Sequence, residues 1–407
     1  MNVFAKIDRA SVWHVLILLT FCAFPWHQRT STWGIVLLLI HFVSDKDLLE
    51  KLKRIRITPL GWTSIAFFLY HLVGMLWTDY TSDGWKSIET KLCFLLLPFL
   101  FAGENHITHR SFRAIMPYFL ISGVLAFVYS FFFSLHKYGA QGMKEVLNRV
   151  NVSEGIMHPG YWSNYYAFAL VYICYALWIY PVRQKLFYYI MLPLHFAIFI
   201  ELCSKTTYIF FAFFGIYLAW RAMSFIRNVW LRLASFTGAC LISFFILSFL
   251  PPVKIRIDEI RNESKPPPAN PAFAHSTESR LAAWGLEKKL IGINPIIGYG
   301  TGSANPLVLN EMKKKHYDDL VKYNMHTHNQ VFHTWIDLGI PGLLLLLGFW
   351  IYALQDFARK QNGLGFWSAL MCFLYLFTDD ALEIQAVGVF FVFLVFLFQK
   401  LPGKLKT

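Results

Sequence analysis

Long apolar runs separated by short polar breaks fill most of the chain. Twelve can be counted, near residues 11–25, 32–44, 60–77, 87–102, 114–135, 161–180, 186–203, 206–220, 233–251, 340–354, 364–378 and 384–399. A helix needs about 20 apolar residues to cross a bilayer, so the shorter runs must extend into their flanks. The pattern predicts an all-α, polytopic membrane protein of about twelve transmembrane helices. One long polar interruption, 252–327, predicts a mostly helical loop on one side of the membrane. The chain then divides into 1–251 with the first nine spans, the loop 252–327, and 328–407 with three more spans and a tail.

Within the loop, Lys265-Pro-Pro-Pro-Ala-Asn-Pro271 excludes helix. Ser276-Thr-Glu-Ser-Arg280-Leu-Ala-Ala-Trp284-Gly-Leu-Glu287 reads as the start of a short amphipathic helix. Its cap falls at Ser276 or Thr277 and its stop at Gly292, ahead of Asn294-Pro295. Arg280, Trp284 and Glu287, at spacings of four and three, share one face. Gly298-Tyr-Gly300-Thr-Gly302 reads as a flexible turn, and no Lys-Ser/Thr follows it, which excludes a nucleotide P-loop.

Composition supports the membrane reading. Only 15% of residues are charged and 56% are hydrophobic, against about 25% charged in soluble domains. The net charge of +13 suggests nucleic acid until the 37 Lys and Arg are sorted by loop. With the N-terminus inside, inner loops and tails hold 19, short outer loops seven, and the long loop eleven. That is the positive-inside pattern, from which long translocated loops are exempt. It places both termini in the cytoplasm and 252–327 outside. All six cysteines lie in or beside apolar runs, so neither a disulfide framework nor a Cys-based metal site is indicated. The basic stretch 45–57 reads as a solvated inner loop touching anionic headgroups.

Candidate chemistry concentrates in His326-Thr-His328-Asn329-Gln-Val-Phe-His333-Thr-Trp-Ile-Asp337-Leu-Gly339-Ile-Pro-Gly342, which runs directly into an apolar span. Ionisable groups at a membrane edge are costly and suggest a functional site. Asn329 is the predicted N-cap, putting His328 just outside the first turn, where helix N–H groups favour an anion. His326 either orients a substrate or faces solvent, and His333 reads as structural. Asp337 lies on the far side of a regular helix from His328, where it could simply pair with a neighbouring helix. Zinc on His326, His328 and His333 lacks an acidic or cysteine complement nearby. Lys205 could hold phosphate as a point charge, or be neutralised by Glu201 four residues earlier. His158 and Asn164 open a span, in either a packing or a substrate-facing role. Asp379, Asp380 and Glu383 cluster at the last outer turn, where they either bind acceptor sugars or, on the simpler reading, sit in water.

The spacing His328-Asn329, Gly339, Gly342 resembles the signature of the O-antigen ligase and polymerase superfamily. The stretch Ser276–Gly302 is similar to the family's segment before that motif, and His158-Pro-Gly-Tyr161-Trp-Ser to a motif of one branch. Ser204-Lys205-Thr206 is similar to its Ser/Thr-Arg element, with Lys in place of Arg. The likeness covers about 150–345 and implies a GT-C-like enzyme with its active site on the periplasmic face of the bacterial inner membrane. The donor it implies is a glycan on undecaprenyl diphosphate, with no nucleotide, cofactor or required metal. His328 would then be the base, with Arg280 and Lys205 neutralising diphosphate. His326, Asn329, His158, Tyr161 and Trp284 would contact substrate. The acceptor is lipid A–core for a ligase, a lipid-linked repeat for a polymerase, or a protein hydroxyl for an oligosaccharyltransferase. One large outer loop and the absence of a long C-terminal outer region favour the ligase. A transporter is the rival from another class, but the ionisable residues gather at one surface and no inverted repeat is visible.

Overall fold

Among the described residues, the apolar runs fold as helices and no strand occurs. The computed structural model describes residues 8–27, 29–104, 106–178, 184–202, 204–235, 237–238 and 277–401. Most of the 233–251 run, the Pro-rich stretch 265–271 and the cap at Ser276 lie outside them. The helices are α1 (Arg9–Ala23), α2 (Thr30–Val43), α3 (Leu48–Arg54), α4 (Pro59–Gly74), α5 (Thr81–Gly103) and α6 (His109–Tyr138). Short α7 (Met143–Val146) and α8 (Arg149–Ser153) precede α9 (Pro159–Trp178), α10 (Lys185–Leu202) and α11 (Lys205–Ala222). After 277 come α12 (Thr277–Ile293), α13 (Ala304–Lys314), α14 (Asp318–Lys322), α15 (Gln330–Arg359), α16 (Gly363–Tyr375) and α17 (Gln385–Lys400).

Among the described residues, three helical stretches, His109–Gln141, Lys185–Leu202 and Gln330–Arg359, are long and apolar enough to cross a membrane. The pair α3 and α4, bent by 107°, makes a fourth if counted as one broken span. Other apolar helices are shorter: α1, α16 and α17 have 15, 13 and 16 residues. At 1.5 Å per residue each falls short of the roughly 30 Å hydrocarbon layer. Among the described residues, not every run counted in the sequence is by itself a membrane-length helix.

The chain forms two compact units, one of 1–129 with 267–407 and one of 130–266. In the first, α17 is the axis. It is buried from Ala386 to Phe398, as expected for a helix apolar on every side. Phe393 meets the rings of Phe21, Phe24 and Phe101 at 5.5, 5.5 and 5.2 Å in edge-to-face contacts. Helices α5, α16 and α2 pack against it, and α15 packs on α4 and α12. In the second unit α9 is the buried helix, lying against α10 and α11.

The helical run of α15 is broken at Gly339, whose φ of 64° and ψ of −161° are not helical. The turn after α12 docks against this break. Tyr299 and Gly300 donate backbone N–H groups to Ile336 and Asp337 carbonyls, both at 2.8 Å, and Ile340 donates to Pro295 at 3.1 Å. A Cβ at Gly339 would collide with the Ile296 carbonyl, and one at Gly302 with the backbone of Gly84. The 298–302 turn is thus a packed wedge instead of the flexible turn expected. Its glycines at φ +75°, +94° and +82° permit the close backbone approach.

Candidate active site

Asn329 caps α15 as expected: its side chain accepts the Phe332 N–H at 3.0 Å and donates to the Phe377 carbonyl at 3.1 Å. His328 is left just outside the helix in the left-handed region, φ +46°. Such a conformation in a non-glycine residue costs free energy and needs support from its surroundings. Gln330 supplies part of that support. Its N–H donates to the carbonyls of Leu376 and Asp379 at 2.8 and 3.1 Å. Its side-chain carbonyl accepts the Leu382 N–H at 2.8 Å. The helix start is thereby fastened to the 376–384 turn. Asn329→Ala is expected to lower thermal stability by about 1 kcal/mol or more and to release that turn. Thermal unfolding in detergent, alongside proteolysis at 376–384, measures both.

The acids at 379–383, expected in water, are buried. Nδ1 of His328 lies 3.6 Å from Oδ1 of Asp379 and has no hydrogen-bond partner. That separation exceeds a hydrogen bond and makes an ion pair only when the ring carries a proton. Burial alone would raise the Asp379 carboxyl. His328, Arg280 and the hydrogen bond from Asp380 outweigh it and hold Asp379 below the usual carboxylate range. Burial and the Asp379 charge push Asp380 upward. One acid of the adjacent pair therefore carries the negative charge more readily than the other.

Below His328 lies a second network. Glu383 accepts from Lys91 at 2.7 Å, Gln330 at 3.0 Å and Ser87 at 3.2 Å. Nε2 of His333 stands 3.3 Å from Glu383 and 3.5 Å from Asp337, and its Nδ1 lies 3.1 Å from the Thr327 hydroxyl. His333 is structural, as expected. Burial works to raise Glu383, but the charges of His333 and Lys91 dominate and keep it ionised. Asp337 accepts the N–H groups of Gly302 and Ala304 at 2.8 and 2.7 Å. It pins the glycine wedge, and with it the N-terminus of α13, to α15. Lys91 went unnoticed in the sequence. Its signal was a lysine at the head of the largely apolar 87–102 run, where a charge needs a partner.

On α12 the Arg280–Trp284–Glu287 face turns inward. Trp284 meets Phe332 edge-to-face at 6.3 Å. Arg280 Nε, Trp284 Nε1 and both Glu287 carboxyl oxygens are buried without hydrogen-bond partners. Burial, helped by the charge of Asp380, pushes the Glu287 carboxyl well above the usual carboxylate range. Buried polar atoms without partners are uncommon and mark places where a ligand can complete the bonding.

A cavity of about 590 Å³ has His326, His333, Asp380 and Glu383 among its walls. His326 is exposed, its ring 6.4 Å from that of His328. Ligand atoms of His328, Asp379 and Asp380 lie within 4.8 Å of one another, a spacing a divalent cation could bridge. This is not the His326–His328–His333 set considered from sequence, because His333 is engaged by Thr327, Asp337 and Glu383.

The structure brings His328, Asn329, His326, Arg280 and Trp284 into the first unit. Lys205, His158 and Tyr161 belong to the second. His158 is exposed and precedes α9, its ring 5.2 Å from that of Tyr161. Lys205 is the first residue of α11, whereas Glu201 belongs to α10. The two do not share one continuing helix, so four-residue pairing does not apply.

Fold and site together define an all-α protein of membrane character that holds a buried histidine–carboxylate cluster at the capped end of a membrane-length helix. Residues 194–347 match the family model described as O-antigen ligase. The match spans less than half of the chain and agrees with the resemblance to the O-antigen ligase and polymerase superfamily. It contains Lys205, Arg280, Trp284, His326, His328 and Asn329, whereas Lys91 and the 379–383 acids lie outside it. No curated protein matches the chain.

Proposed function

We propose that the chain transfers a glycan from undecaprenyl diphosphate to an acceptor hydroxyl on the periplasmic face of the inner membrane, with O-antigen ligation to lipid A–core the first choice. The observation that carries this is His328, held outside the α15 cap with its ring against the ionised Asp379. In the proposed reaction, neutral His328 takes the proton of the acceptor hydroxyl. The hydroxyl oxygen then bonds to the anomeric carbon as the bond from that carbon to the diphosphate oxygen breaks, with inversion. Asp379 stabilises the imidazolium that forms, and Arg280 and Lys205 hold the departing diphosphate. Asn329, Trp284, His158 and Tyr161 are assigned to binding, with His326 beside the acceptor.

Membranes of a ligase-deficient didermic strain carrying this chain test the proposal. Long glycan on lipid A–core supports the ligase. Longer lipid-linked chains with bare lipid A–core would make it a polymerase, and glycan on protein an oligosaccharyltransferase. No change in any pool favours transport. Transfer is expected to survive chelation by EDTA at unchanged rate, since neutralisation of diphosphate is assigned to Arg280 and Lys205. Loss of activity restored by one divalent metal would instead assign His328, Asp379 and Asp380 as ligands.

A further inference from the structure

The cavity beside His328 sorts charge in a way that tells its occupant from the donor. Its inner wall carries the carboxylates of Asp380 and Glu383. Of the two lysines on its surface, Lys86 is paired with Asp83 at 2.8 Å and Lys313 is exposed. Arg280, whose charge reaches Asp379, is not part of this wall. A diphosphate here would need cationic partners that are already committed, Lys91 and His333 to Glu383 and Lys86 to Asp83. An uncharged sugar would not. Carboxylate oxygens are acceptors only, with several lone pairs each. On Glu383, Oε1 takes Lys91, Gln330 and His333, while Ser87 is the partner of Oε2. Oε2 therefore keeps capacity for a sugar hydroxyl. At the rim Tyr80 offers a ring, and its hydroxyl accepts from Asn310 at 3.3 Å. The volume, about 590 Å³, lies within the range of small-ligand sites.

We propose that this cavity is the acceptor subsite and takes an uncharged, hydroxyl-rich saccharide end, with Asp380 and Glu383 receiving its hydroxyls and Tyr80 and Asn310 forming the mouth. The assignment rests on the glycosyl-transfer reading and deepens it: acceptor on the carboxylate side, diphosphate on the Arg280 side. The exposed His326 on the same wall is the group that steers the acceptor toward His328.

The test measures binding, not turnover. The full chain in lipid nanodiscs is titrated with dephosphorylated, delipidated core oligosaccharide, and separately with geranyl diphosphate. Asn310→Trp places bulk at the exposed mouth, where folding is least at risk, and melting temperature is followed for each variant. Expected is a fall of about tenfold or more in saccharide affinity, equal to about 1.4 kcal/mol, with geranyl diphosphate affinity unchanged. Arg280→Ala is expected to give the reverse. Absence of saccharide binding to the parent protein at millimolar concentration overturns the proposal. So does unchanged saccharide affinity in Asn310→Trp, or competition between the two probes for one place. If saccharide binds and is blocked as expected but no lipid-linked donor is ever consumed, the transferase reading fails and the saccharide site stands.

Discussion

His328→Ala is expected to cut glycan transfer by about 10²–10⁴-fold, the usual contribution of a positioned acid–base group. Protein abundance and melting temperature should be little altered, because Nδ1 of His328 makes no hydrogen bond and the helix cap belongs to Asn329. Asp379→Asn should reproduce part of the defect with the ring still present. The carboxylate 3.6 Å from Nδ1 favours the imidazolium, and an amide cannot. Turnover should fall while the acceptor KM changes little. Quantified lipopolysaccharide from membranes at matched expression gives the answer. Full transfer by His328→Ala would remove the histidine from the chemistry.

Gly339→Ala is expected to be the most damaging single methyl group in the first unit. At φ +64°, ψ −161° an L-residue is strained by about 1–3 kcal/mol. The added Cβ also meets the backbone carbonyl of Ile296, which cannot swing aside like a side chain. The break in α15 would lose its seat, and with it the bonds from Tyr299 and Gly300 to Ile336 and Asp337. Both stability and transfer should drop, stability by about 3 kcal/mol or more. Gly348 supplies the control: it lies in the same helical run and a Cβ there meets nothing within 4 Å. Gly348→Ala should stabilise by up to about 1 kcal/mol, the helix preference for Ala over Gly. Thermal unfolding of the two variants in one detergent makes the comparison direct. Equal melting temperatures would refute the wedge.

What was legible in the sequence was what depends on neighbours a few residues away. The Asn329 cap, the placement of His328 outside the helix and the shared face of Arg280, Trp284 and Glu287 all follow from local spacing. What was misread depends on residues far along the chain. The 298–302 turn contains three glycines, which alone indicate freedom, yet Thr78, Gly84 and Asp337 close around it. Asp379, Asp380 and Glu383 look like a solvated turn because their partners Lys91, Ser87, Thr327 and Gln330 come from other elements. Counting apolar runs likewise could not separate helices long enough to stand alone in lipid from short ones such as α17, which is buried by its neighbours.

The position of α17 bears on how the protein is made. Helices α1, α2 and α5 leave the ribosome hundreds of residues before the segment that lies among them. Until Gln385–Lys400 arrives, the rings of Phe21, Phe24 and Phe101 must be covered by lipid, by one another or by the insertion machinery. The acidic turn at 379–383 immediately precedes this segment, so the counter-charge for Lys91 and the neighbour of His328 are delivered together with it. A chain stalled before that point would sit in the membrane with an unpaired lysine and an unfinished site. Such an intermediate is a natural target for membrane quality control, and activity should appear only once synthesis has passed the final helix.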